Sequence, residues 1–136
     1  MKKQRSDGLS IRLQQRVAQV PGEIVVRADV EDLGDYRRVS RAILTLIQRG
    51  FLIRIAYGIY AKARYSAILK KPVIKGGFKE AAFEALNRCG VLWEIGEAEK
   101  KYNLGLTTQV PVRSIVKLKS RFRRTISFEG LELKYE

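Results

Sequence analysis

The chain contains no histidine and a single cysteine, Cys89. With one thiol no disulfide closes within it, a pattern suited to a reducing cytoplasm. A thiolate or imidazole zinc site lacks its ligands, and Ser–His and Cys–His catalysis lack their base. Acidic residues are also scarce, with 14 Asp plus Glu against 27 Lys plus Arg and a formal charge of +13. The acids at residues 29–35 flank and cap helices, so they assemble no carboxylate cluster for a metal-dependent nuclease. The residues therefore point away from an enzyme and require no metal or cofactor. Long apolar runs are missing as well. Nothing approaches the roughly 18 residues that a membrane-spanning helix needs. The opening "MKKQRSDGLS" has a basic start with no apolar run behind it, so it does not read as a signal peptide. The expectation is a cytoplasmic protein with no membrane partner.

What is present is a globular mixture, 46% hydrophobic and 30% charged over 136 residues, enough for one compact domain or two small ones. The charge is not confined to a tail. Residues 1–66 carry 13 basic and 6 acidic side chains, and residues 67–136 carry 14 and 8. An excess of this size works against folding through self-repulsion, so it points to an anionic partner. Nucleic acid comes first and an anionic membrane surface second.

Ser10 to Val20 reads as a helix on the apolar positions Ile11, Leu13, Val17, Ala18 and Val20, stopped by Pro21-Gly22. "EIVV", residues 23–26, reads as a strand. "RADVEDLG" reads as a short second helix with Val30 and Leu33 inward and Gly34 as its stop. A third helix runs from an N-cap at Asp35 to Arg49 and ends at Gly50. At 100° per residue Val39, Ala42, Ile43, Leu46 and Ile47 share one face, while Arg37, Arg38, Arg41, Thr45 and Gln48 gather opposite. Leu44 falls off the apolar stripe without explanation. "FLIRIA" and "IYAKA" then alternate as strands around Tyr57-Gly58, a tight hairpin in which Gly58 supplies positive φ.

Helix, strand, helix, helix, hairpin is the order of a winged helix-turn-helix. A major groove about 12 Å wide accepts an α-helix, so a helix with one buried face and one basic face can enter it. Arg41 suits a base-reading role, because a guanidinium pairs both acceptors of guanine. Arg37 and Arg38, near the helix start, suit phosphates. Thr45 and Gln48 either reach bases or are simply solvated. Arg54, Tyr57, Gly58 and Lys62 form the wing, although Tyr57 also suits a turn and Tyr60 suits a core. On this reading residues 1–64 are a DNA-binding domain and 65–77, with Pro72 and Gly76-Gly77, a linker. "KGGFKE" lacks the spacing of a phosphate-binding loop and reads as part of that linker.

Residues 78–136 read as a small α+β domain with antiparallel strands. Helices are expected at Phe78 to Asn87 and Ile95 to Tyr102. "TTQVPVRSIVKLKS" follows as a strand in which Val112, Ser114, Val116 and Leu118 oppose Arg113, Ile115, Lys117 and Lys119. "RRTISF–EG–LELKYE" closes as a hairpin. Lys117, Lys119, Arg121, Arg123 and Arg124 form either a second phosphate-binding patch or a charged strand edge that resists edge-to-edge pairing. Cys89 and Trp93 suit the core, and Glu94, Glu97 and Glu99 suit ion pairs with Lys100 and Lys101.

Two stretches carry a family resemblance. "DVEDLGDYRRVSRAILTLIQRGFLIRIAYGIYAKAR", with Arg49-Gly50 before a hairpin holding Gly58-Ile59-Tyr60, resembles the N-terminal winged helix of the AbiEi-like antitoxins, the group that includes the DUF6088 proteins. "LGLTTQVPVRSIVKL", residues 104–118, and "RFRRTISFEGLELKY" resemble that group's later strand entry and closing hairpin. The resemblance implies a regulator of a type IV toxin–antitoxin operon that binds double-stranded operator DNA, represses its own promoter and counters a cognate toxin protein. Paired operators lead us to expect a homodimer or cooperative binding on repeated half-sites. Two other readings stay open. One is an RNA-binding module stacking bases on Phe122, Phe128 and Tyr135. The other is a basic interaction protein for an acidic partner.

Overall fold

The structure, a computed structural model, describes residues 2–111 and 114–136, with the backbone alone for residues 2–7. It is α+β, with four α-helices and mostly antiparallel sheets. Helix α1 (Lys2–Gln19) begins before the expected Ser10. Its buried stripe is Leu9, Leu13, Val17 and Val20, while Ile11 and Ala18 face outward. Leu13, Val17 and Val20 are thus buried as expected, Leu9 joins them one turn before Leu13, and Ile11 and Ala18 lie off the stripe. Strand β1 (Ile24–Val26) follows. The expected helix over 27–34 is instead two 3-10 turns, Arg27–Asp29 and Glu31–Leu33. Val30, between them, has φ −128, which breaks a helical run. Gly34 is extended at φ 174, so it is no left-handed stop.

Helix α2 (Tyr36–Gln48) forms as its residues require. The Asp35 carboxylate accepts the Arg38 N–H at 2.9 Å, an N-cap worth about 1 kcal/mol. Val39, Ala42, Ile43 and Leu46 are buried on one stripe. The helix ends in a Schellman motif: Phe51 N–H donates to the Leu46 carbonyl at 2.9 Å and Gly50 N–H to that of Ile47 at 3.0 Å. This motif needs φ > 0 at Gly50, which adopts +81.

Strands β2 (Leu52–Ala56) and β3 (Ile59–Ser66) pair antiparallel around Tyr57-Gly58, with a bulge between Arg54 and Ala56. β3 also pairs antiparallel with β1, giving the order β1-β3-β2. The segment expected to link two domains is itself structured. It carries strand β4 (Lys71–Ile74), which pairs with residues 63–66 of β3. Pro72 is tolerated there because β4 has a neighbour on one side only.

The sheet is buried on both faces. Val25, Leu52 and Tyr60 join Leu13, Val17, Val39 and Leu46 of α1 and α2 in one core. Ile24, Ile53, Ile55, Ile59, Ala61 and Ala63 belong to a second core. It includes Ala82, Ala85 and Leu86 of helix α3 (Phe78–Arg88), together with Val116, Ile126 and Leu133. The second half therefore packs directly on the sheet of the first.

Strand β5 (Trp93–Ile95), helix α4 (Glu97–Asn103) and strand β6 (Ile115–Leu118) follow, then β7 (Ser127–Phe128), β8 (Leu131–Glu132) and β9 (Lys134–Tyr135). The expected long strand is formed only at β6. Residues 107–111 are irregular, and Val112 and Arg113 lie outside the described residues. Val116 is buried while Lys117 and Lys119 are exposed, as alternation requires. β5 runs antiparallel to β6 but β9 runs parallel to it, so this half is not purely antiparallel. β7 and β8 close the expected hairpin, with Glu129 (φ 48) and Gly130 (φ 84) both left-handed, the conformation of a type I′ turn.

Candidate nucleic-acid interface

The outer surface of α2 is a cationic ridge. Arg37, Arg38, Arg41 and Gln48 are exposed, and among the described residues the three guanidinium groups pair with no carboxylate. Two positions depart from the expected set. The Thr45 hydroxyl, half-buried, donates back to the Arg41 carbonyl at 3.0 Å, so it is occupied within the helix. Leu44 stands 53% exposed on the same surface as the arginines.

A groove of about 640 Å³ separates α2 from the β2–β3 hairpin. Tyr36, Ser40 and Leu44 form its α2 wall; Arg54, Tyr57 and Gly58 form the hairpin wall. Arg27 and Arg88 line it with Cys89 and Arg124, and among the described residues no Asp or Glu does. Arg27 fixes the two walls relative to each other. Its guanidinium donates to Ser40 Oγ at 2.9 Å and to the Tyr36 carbonyl at 2.8 Å, and lies 4.1 Å from the Tyr36 ring centre. Its backbone N–H donates to the Gly58 carbonyl at 3.1 Å. Opposite, the Arg54 guanidinium lies 5.8 Å from the Tyr57 ring, a contact geometry for a cation on an aromatic face.

The remaining wing residue behaves differently. Lys62 is half-buried and its ammonium donates to the Val20 carbonyl at 2.5 Å, so it caps the C-terminal end of α1 and does not project beside the hairpin. The second basic cluster divides in the same way. Lys119 pairs with Glu94 at 3.6 Å, Lys117 sits in register with Glu94, and Arg121 and Arg123 are solvated. Arg124 alone enters the groove, where its guanidinium lies 4.0 Å from Cys89 Sγ.

Sequence reasoning missed Arg27, Tyr36 and Arg88. Tyr36 had a legible signal, since Tyr36, Ser40 and Leu44 recur at helical spacing along one edge of α2. Arg27 and Arg88 had none, because their partners are distant in the chain. Arg88 bonds Asp29 at 2.6 Å and the Ile24 carbonyl at 3.3 Å. Among the described residues no group of three or more His, Cys, Asp or Glu side chains is placed to hold a metal. No helix among them is long and apolar enough to cross a membrane.

The fold and groove define a basic α+β protein whose cationic helix and hairpin flank a shared cleft. The chain belongs to DUF6088, a family of unknown function, whose model matches residues 12–134. No curated protein and no solved structure matches the chain.

Proposed function

We propose that this protein is a sequence-specific DNA-binding regulator of antitoxin type, cytoplasmic and non-catalytic, which represses its own operon and counters a cognate toxin. In this reading residues 1–64 form a winged helix-turn-helix, with α2 as recognition helix and β2–β3 as a short wing. The observation that carries it is a groove lined by Arg27, Arg54, Arg88 and Arg124 and, among the described residues, by no carboxylate, with Arg37 and Arg41 free of carboxylate partners on the adjoining surface of α2. Unpaired guanidinium groups on a rigid helix are suited to base edges and phosphates, and each phosphate neutralised releases counterions. The resemblance to AbiEi-like antitoxins supports the operon context.

The RNA reading loses support from the aromatic rings on which it depended. Phe122 and Tyr135 pack edge to face with centres 6.1 Å apart, and both, like Phe128, are half-buried against the core.

The test is binding to the duplex directly upstream of the gene at about 150 mM salt, against a scrambled duplex, because non-specific binding is salt-sensitive. Tight binding to the upstream duplex alone, lost in Arg41→Ala, is the expected result. Equal, weak binding to both would sink the reading.

A further inference from the structure

The most exposed large apolar side chain among the described residues is Ile68, at 92%, in the turn joining β3 to β4. Leu69 beside it is 59% exposed and Tyr65 is 64% exposed. The turn is closed. Lys70 N–H donates to the Ser66 carbonyl at 2.7 Å, Leu69 N–H to Ser66 Oγ at 3.1 Å, and Lys70 adopts φ 55. An ordered ribbon thus holds two aliphatic side chains at its apex, uncovered. Around them Arg64, Lys70 and Lys75 are exposed and, among the described residues, have no carboxylate partner, while Lys71 pairs with Glu129 at 2.6 Å.

The ribbon has a definite relation to α2. Pro72 of β4 packs against the end of the helix: a Cβ at Gly50 would lie 3.1 Å from Pro72 Cγ. Lys62 pairs with Leu52, the first residue of β2, and Ser66 lies four residues further along β3. At about 3.3 Å per residue the apex therefore projects roughly 13 Å beyond the start of β2. The Tyr57-Gly58 turn, tied through Arg27 to Tyr36, lies at the opposite end of α2. The two turns therefore lie beyond opposite ends of α2, and a helix in a major groove has a minor groove on either side.

We propose that the β3–β4 turn is a second DNA-contacting element, which places Ile68 and Leu69 in the minor groove beside the site covered by α2, parting a base step and bending the duplex. This rests on the DNA-binding reading above. Architectural proteins bend DNA with one or two apolar side chains on a rigid support, flanked by cations that hold the phosphates. The minor groove, about 6 Å wide, admits a tip of this size but no helix. A lipid surface is a weaker match. Two aliphatic side chains carry less apolar surface than a single acyl chain, which itself gives only marginal anchoring.

The experiment measures end-to-end energy transfer in a doubly labelled 30-base-pair duplex from upstream of the gene. Wild type, the double variant Ile68→Ser/Leu69→Ser and Arg41→Ala are compared. Wild type should shorten the end-to-end distance. The double variant, whose changes lie at exposed positions of the turn and should leave the melting temperature unchanged, should bind the same sequence within about tenfold of wild type without shortening it. Arg41→Ala should lose sequence preference. A double variant that bends the duplex as wild type does would overturn the proposal while leaving the DNA-binding reading intact. Absence of any sequence preference in wild type would overturn both. Binding of wild type to phosphatidylserine vesicles, lost in the double variant while bending persists, would reassign the turn to lipid.

Discussion

Glu84 reaches from α3 to the free edge of β1, where its Oε2 accepts the backbone N–H groups of both Glu23 and Ile24 at 2.9 Å. One turn later Arg88 bonds Asp29, whose other oxygen accepts the Val26 N–H at 2.9 Å. β1 is an edge strand, and an uncovered edge invites pairing with another chain. Here a carboxylate and a guanidinium from the second half cover it. Replacing Glu84 with alanine strands two donors, each costing about 1–3 kcal/mol when buried. Glu84→Ala should lose about 2–4 kcal/mol in urea unfolding. A loss below about 1 kcal/mol would mean that water already serves that edge.

Arg27 is a positioning residue for α2. Both Arg27→Ala and Arg27→Lys should weaken binding to the upstream duplex about tenfold, because lysine keeps the charge but not the two-pronged contact with Ser40 and Tyr36. If Arg27→Lys binds like wild type, only the charge matters and the positioning role is wrong.

Leu44 stands among Arg37, Arg41 and Tyr36, and the proposed DNA-binding function would give it a role. An aliphatic side chain on a recognition helix suits the thymine methyl group, the only apolar mark in the major groove. Replacing contacted thymine by deoxyuridine should weaken wild-type binding several-fold and leave Leu44→Ala unaffected. Equal sensitivity in both proteins would remove Leu44 from base reading.

Tyr135 supplies a pH dependence. Burial first, then the charges of Glu132 and Cys89, push its phenol from 10.0 up to about 12. Its hydroxyl donates to the Arg124 carbonyl at 2.7 Å. The folded state holds the proton more tightly, so the stabilisation is complete below pH 10 and is lost as pH rises through about 12. The ring is partly exposed, so solvent screening leaves about 1 kcal/mol of this effect. Ultraviolet titration should show a late tyrosinate component that Tyr135→Phe lacks. The variant's urea midpoint should also fall less steeply between pH 10 and 12. An unchanged titration curve would refute the assignment.

The local half of the architecture was legible in the residues. Asp35, the 3.6-residue stripe and Gly50 delimit α2 without tertiary help, and "EG" marks the β7–β8 turn. Illegibility began where partners are far apart. "KPVI" has a proline and four residues, too little to announce a strand, and β4 exists because β3 offers a partner edge. Sheet residues buried on both faces lose clean alternation, which hid the contact between the two halves. In the interface, exposure on α2 followed from periodicity. The diversion of Lys62 to the end of α1 and the entry of Arg88 and Arg124 into the groove depend on the packed fold.

Because one face of the β1-β3-β2 sheet is roofed by α3, β6 and Leu133, the helix and hairpin are not a transplantable cassette. A fragment cut at residue 64 would present Ile24, Ile53, Ile55 and Ile59 to solvent as a continuous oily plate, and would sever β3 within its pairing with β4. The unit that inheritance or engineering can move intact is the sheet with both of its covers.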